Sequence, residues 1–319
     1  MSDLKKALLI QTAFIGDVIL TTPMIAAFKH FFPDASLTVL VKPEAVALLS
    51  ENPAVDEVLV IDKKRNHRGP AGMLRMAREI RSRHFDILLS PHQSHRTSLL
   101  AMFSRIPERY GYGSAGFARL AYTHRLRRNT QRIEIDRLLD FLADALRVNT
   151  AECPRDLKIF VNDSARQEAR QLLRDLDVRR PILLGPSSVW PTKRWTAWGF
   201  ARLANDLIRR YRSPVLLVGA PGDREINDRV QRWVRLLYPP YIQERVFNVA
   251  GQTSLPGLYA LMEQSLLLVS NDSAPVQFRL CRRFAAGFDF WSDGPFPGLC
   301  SGCSADRRSR VERSALSSL

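Results

Sequence analysis

Gly185-Pro-Ser-Ser-Val-Trp-Pro-Thr-Lys-Arg-Trp195 follows the short apolar run Pro181-Ile-Leu-Leu184, and Val269-Ser-Asn-Asp-Ser-Ala-Pro275 closes a second run, Leu266-Leu-Leu-Val269. A short continuous apolar run bounded by turn residues is the pattern of a fully buried strand. Loops at the carboxyl ends of such strands are where a parallel α/β sheet holds its ligands. The first loop offers small hydroxyls, two adjacent cations and two indoles. The second offers an amide, a carboxylate and a hydroxyl at the start of a predicted helix. Together they suit a nucleotide diphosphate.

The same alternation extends outward to both sides. Ala7 to Ile10, Leu37 to Val41, Val55 to Ile61 and Phe85 to Ser90 read as strands. Helical periodicity covers Val18 to Phe31, Gly72 to Arg83 and Ile133 to Arg147, and Tyr110 to Thr130 is loop-rich. A second unit begins with a charged helix, Ser164 to Leu176, before the strand at Pro181. Strands alternating with helices through short links predict doubly wound parallel sheets. The expected division is 1–160, 161–278 and a tail, 279–319. A chain of 319 residues suits two domains of about 150 residues each.

Forty-seven basic residues against 32 acidic ones leave a net charge of +15. That favours polyanionic partners, such as an anionic lipid surface or a phosphorylated glycan. The basic residues are scattered and not interleaved with aromatics, which argues against nucleic acid. No apolar run approaches the roughly 18 residues of a membrane span. Met1-Ser-Asp-Leu-Lys-Lys lacks the apolar core of a signal peptide, so a cytoplasmic location is expected. Three of the four cysteines fall in the tail, which is no disulfide framework. No G-x-G-x-x-G follows the first strand of either unit, which disfavours a dinucleotide-dependent oxidoreductase.

Gly16-Asp-Val-Ile-Leu-Thr-Thr-Pro23 after the first strand, the 185–195 loop and Ser270-Asn-Asp-Ser-Ala-Pro275 occur in that order. The set resembles the bacterial lipopolysaccharide heptosyltransferases of glycosyltransferase family 9, most of all their heptosyltransferase II branch. The resemblance runs from residue 4 to about residue 278. It implies a GT-B fold, with two Rossmann-like domains facing across a cleft. It also implies an ADP-heptose donor, and a lipid A–inner-core acceptor at the inner face of the cytoplasmic membrane. The sugar carbon would be inverted without a metal or other cofactor.

Inverting transfer needs a base for the acceptor hydroxyl. Asp17 matches the family's catalytic aspartate, although an Asp after a strand is also a common helix cap. Lys193 matches its phosphate-binding lysine. Arg194, Ser187 and Ser188 are placed to assist, with a surface Lys-Arg pair as the plainer account. Asn271, Asp272, Ser273 and Ala274 would present backbone N–H groups to the diphosphate. Gln277 stands where the family usually has a His, and Gln carries neither proton nor charge. Asp223 and Glu225 are alternatives for a ribose contact, or a solvated turn. Arg96, in the exit loop of the fourth strand, and Arg137 are candidates for acceptor phosphate, or ordinary surface arginines. His92 and His95 lack a third ligand, so no metal is expected.

After Phe278 the family pattern stops. The expected small-residue helix, buried strand and Phe-Gly-Pro-Thr loop can be written from permitted codons if one nucleotide is skipped there. The expectation is a frameshifted tail and an incomplete second domain, which resequencing this region checks.

Overall fold

The computed structural model describes residues 4–188, 190, 192 and 194–271. The expectations for Lys193, Asp272, Ser273, Ala274, Gln277 and the tail after Phe278 lie outside the described residues.

The first half runs β1 (Lys6–Ile10), α1 (Ile15–Leu20), α2 (Thr22–Phe31), β2 (Ser36–Val41), α3 (Val46–Leu49), β3 (Glu57–Val60) and α4 (Gly69–Ser82). It continues β4 (Ile87–Ser90), α5 (His95–Ser104), β5 (Glu108–Tyr112), α6 (Ala118–Ala121), β6 (His124–Leu126) and α7 (Glu134–Leu146). The second half runs α8 (Asp163–Asp175), β7 (Ile182–Gly185), α9 (Ala197–Tyr211), β8 (Val215–Leu217) and α10 (Arg224–Leu237). Then follow α11 (Pro240–Gln243), β9 (Val246–Asn248), α12 (Leu255–Glu263) and β10 (Leu267–Ser270).

The described strands form two parallel sheets, one ordered β3-β2-β1-β4-β5-β6 and the other β10-β7-β8-β9. Alternation along β1 sends Ala7 and Leu9 into one apolar cluster and Leu8 and Ile10 into another, on opposite faces. In the second sheet Leu183 and Leu216 face one cluster, and Ile182, Leu184 and Val215 face the other. Both faces of each sheet are covered at its centre, which is why the central strands β4, β7 and β8 are buried along their length and almost wholly apolar. The chain reverses direction across the first sheet between β1 and β4, and across the second between β7 and β10. The carboxyl ends of strands at such switch points form a crevice. The loops carrying the motifs all leave from them.

The two lobes meet in one apolar cluster. It joins Ile19 of α1 and Leu48 of α3 to Leu157, Leu258 and Tyr259. Beside it, Lys158 N–H donates to Thr22 Oγ1 at 3.2 Å, and Asn162 Nδ2 donates to Glu51 Oε1 at 3.1 Å.

Four local expectations change. Val18 to Phe31 is not one helix but two, because the chain turns at Thr21 ahead of Pro23, which has no N–H for a continuing helix. The loop-rich stretch Tyr110 to Thr130 also contains part of β5, all of α6 and all of β6. Its strands gain their order by pairing, β5 on β4 and β6 on β5. Arg96 is not in an exit loop but in the first turn of α5. Helix α10, past the predicted 220–225 turn, was not anticipated.

Candidate active site

Gly16 and Asp17 lie within α1, which starts at Ile15, three residues before the helical stretch expected from Val18. The Asp17 carboxylate accepts the Phe14 N–H at 3.0 Å, so the chain's own helix start orients it. It is the third residue of the helix and not its cap. Phe14 is exposed, with Lys42 Nζ 5.0 Å from its ring centroid.

Around Asp17 the exits of β1, β2, β3 and β4 converge. Lys63 Nζ donates to Thr12 Oγ1 at 3.1 Å, Thr12 shares a hydrogen bond with Thr97 at 3.3 Å, and Thr97 meets His92 Nδ1 at 3.5 Å. Burial, and then the charges of Lys42 and Arg96, push the Lys63 ammonium down to about 8. His92 is also held below its ordinary value, by burial and by Lys63 and Lys42, against the opposing charge of Asp17. Arg96 donates to the His67 carbonyl, which holds the loop after β3 over the start of α5. Three cations and one carboxylate thus share one rim. Lys42, Lys63 and His92 were missed as site residues. Their signal was positional: each is among the first polar residues after a parallel strand.

Across the crevice, the 185–195 loop is fastened to the end of β10. Asn271 is buried. Its Nδ2 donates to the Pro186 carbonyl at 2.7 Å and its Oδ1 accepts the Trp195 N–H at 3.2 Å. This amide is thereby committed to scaffold. Gly185 permits the approach, because a Cβ there would stand 2.4 Å from Ser270 Oγ. Arg194 Nε donates to the Ser188 carbonyl at 2.7 Å, which curls the loop back on itself. Ser188 is buried and Ser187 is half-buried. Trp190 and Trp195 are exposed, and Trp195 rests edge-on against Phe200 with centroids 5.1 Å apart.

The remaining candidates separate. Asp223 accepts the Ala220 N–H at 2.8 Å and closes the turn before α10. Glu225 is exposed and pairs with Arg229 at 2.6 Å. Arg137 pairs with Glu134 at 2.5 Å, its Nε buried without a partner, and Arg128 reaches the same carboxylate at 3.2 Å. His95 is not turned toward a metal with His92, since its ring packs on Phe117 at 5.8 Å. Among the described residues no group of three metal-ligating side chains occurs.

This crevice has close counterparts. Residues 73–276, more than half of the chain, match glycosyltransferase family 9 (heptosyltransferase). The chain belongs to that family. A family 9 glycosyltransferase structure from Veillonella parvula superposes with a TM-score of 0.75 at 27% identity, covering 87% of this chain and 78% of the other. The Escherichia coli ADP-heptose LPS heptosyltransferase II structure gives 0.70 at 22% identity, covering 86% and 81%. Its likeness confirms the two-lobed fold. The lipopolysaccharide heptosyltransferase 3 of Escherichia coli K12 is 24% identical over 276 residues, 82% of this chain and 75% of that protein. Heptosyltransferase 2 of Salmonella typhimurium is also 24% identical, so identity does not single out a branch. The chain is a glycosyltransferase of the heptosyltransferase type.

Proposed function

We propose that the chain moves L-glycero-D-manno-heptose from ADP-heptose to the inner core of lipopolysaccharide, inverting the sugar carbon. One observation carries the reading. A carboxylate oriented by its own helix start stands among three cations at one switch point, facing loops suited to a diphosphate at the other. The acceptor hydroxyl gives its proton to Asp17 as its oxygen bonds to the anomeric carbon. The bond from that carbon to the diphosphate breaks, and its electron pair leaves with ADP. Lys193, the curled 185–195 loop and the backbone at 271–274 receive the departing charge. Side-chain cations serve there, so the reaction needs no metal or other cofactor. Lys42, Lys63 and Arg96 take anionic substituents of the acceptor, and Arg137 is a further candidate for an acceptor phosphate. Asp223 or Glu225 meets the ribose. The enzyme works in the cytoplasm, at the inner face of the membrane that carries its acceptor.

ADP release from ADP-heptose with a soluble inner-core acceptor, followed by product analysis, tests this. Asp17→Asn should lower kcat by about 10²–10⁴-fold, the usual contribution of a general base, with little change in melting. Turnover with another nucleotide sugar in a donor panel would point instead to a different donor. Nucleotide binding without turnover, unaffected by Asp17→Asn, would leave a binding protein.

A further inference from the structure

The rim beside the acceptor cations carries a surface that the chemistry above does not use. Phe117 is 52% exposed and Leu120 is 68% exposed, one helical turn apart at the start of α6. Phe117 holds a left-handed backbone conformation, φ 59°, which is unusual for a bulky aromatic residue. Its ring edge meets His95 at the start of α5, next to Arg96. The chain thus accepts an unfavourable conformation to present a ring to solvent.

The surrounding charge is mainly positive. Between Glu108 and Glu134 there is no acidic residue and there are six arginines. Of these, Arg119, Arg125, Arg127 and Arg132 are exposed, Arg132 being paired with Asp140 at 3.1 Å. The loop after β3 adds exposed Lys64, at 3.9 Å from Glu44, and exposed Arg65. The one acid of that loop, Asp62, accepts their backbone N–H groups at 2.9 and 3.0 Å. That loop is tied by Arg96 to the same α5 start against which Phe117 packs.

We propose that this rim, with Phe117 and Leu120 at its tip and Arg119 and Arg125 around them, docks on an anionic phospholipid bilayer. Apolar tips enter the headgroup boundary while the arginines meet lipid phosphates, a pairing that defines interfacial binding. A second copy of the chain fits poorly, because a symmetric contact would set this predominantly positive face against itself. The proposal deepens the lipid-borne acceptor reading, and rests on it only for the presence of a bilayer. It places the acceptor cations over the membrane, so that an inner-core sugar need not leave the bilayer to reach Asp17.

Flotation of the full chain with acceptor-free vesicles is the test, because it reads docking without any transfer. The chain should float with phosphatidylethanolamine–phosphatidylglycerol vesicles at low salt and not with phosphatidylcholine vesicles. Arg119→Glu/Arg125→Glu should weaken partitioning at least about tenfold. Phe117→Gly/Leu120→Ser should abolish it while melting as well as the parent, since glycine suits the left-handed position. Transfer to a soluble acceptor should be unchanged in both variants, and this arm alone reports on the proposed activity. Absence of flotation by the parent chain, or flotation of both variants like the parent, overturns the proposal. So does loss of flotation only on Trp233→Ser/Leu236→Ser in α10, which would put the contact on the other lobe. A dimer of the parent chain that Phe117→Gly splits would assign the face to a second copy.

Discussion

Asp17 accepts a hydrogen bond from its own helix start, whereas Asn271 commits both ends of its amide to a neighbouring loop. Both follow strands and look alike in sequence, and only their partners separate a group left facing the crevice from one consumed as scaffold. Asn271→Ala should therefore act on stability first. It leaves the Pro186 carbonyl and the Trp195 N–H unpaired, at a cost of about 1–3 kcal/mol that urea unfolding would record. Lys63 gives a pH signature. Its folded-state value falls from 10.5 to about 8. Across that window the unfolded chain holds a proton that the folded chain has released, so stability rises with pH there. The destabilisation is complete below about pH 8. An anionic acceptor prefers the protonated lysine, so its KM should climb as pH rises through about 8 while kcat holds. Lys63→Met should raise KM at neutral pH and flatten that limb, as a KM profile against pH would show.

Helix α9 begins immediately after the 185–195 loop, and its cap is Thr196, whose side chain accepts the Gly199 N–H at 3.0 Å. Thr196→Ala should cost about 1 kcal/mol in thermal or urea melts. Gly185→Ala pushes β7 from β10, and overpacking of this kind typically costs about 1–3 kcal/mol, measurable in the same melts. Strand positions were legible because buried parallel strands are short apolar runs with turn residues at each end. Helix α10 was not seen, although Ile226, Val230 and Val234 recur every four residues. Its arginines and acids dilute that stripe, and the turn before it drew the reading. The helix break at Thr21 was legible in Pro23 alone.

Among the described residues the lobes are joined by an apolar seam through Ile19 and Leu48, close to α1 and therefore to Asp17. Leu48→Ala should cost about 2–5 kcal/mol through the lost methyl groups and the cavity left behind. Because the seam couples the lobes, calorimetry of that variant should show the unfolding transition broadening or splitting. Among the described residues no helix is long and apolar enough to cross a membrane. Contact with a bilayer would therefore come from a surface, and at the rim around Phe117 exposed apolar groups stand among exposed arginines.

By itself the sequence determined the sheet class, the strand exits and the order of the motifs, because buried strands and capped helix starts are local patterns. The family followed from those motifs. Only the tertiary structure decided which side chains share the crevice. Lys42 follows β2, Lys63 follows β3, and His92 and Arg96 follow β4, and parallel pairing around a switch point brings these ends to one rim. It also decided that Asn271 is a brace, because its partners lie 76 and 85 residues away along the chain. Local propensity does not carry information about partners that distant, which are set by how the sheets close.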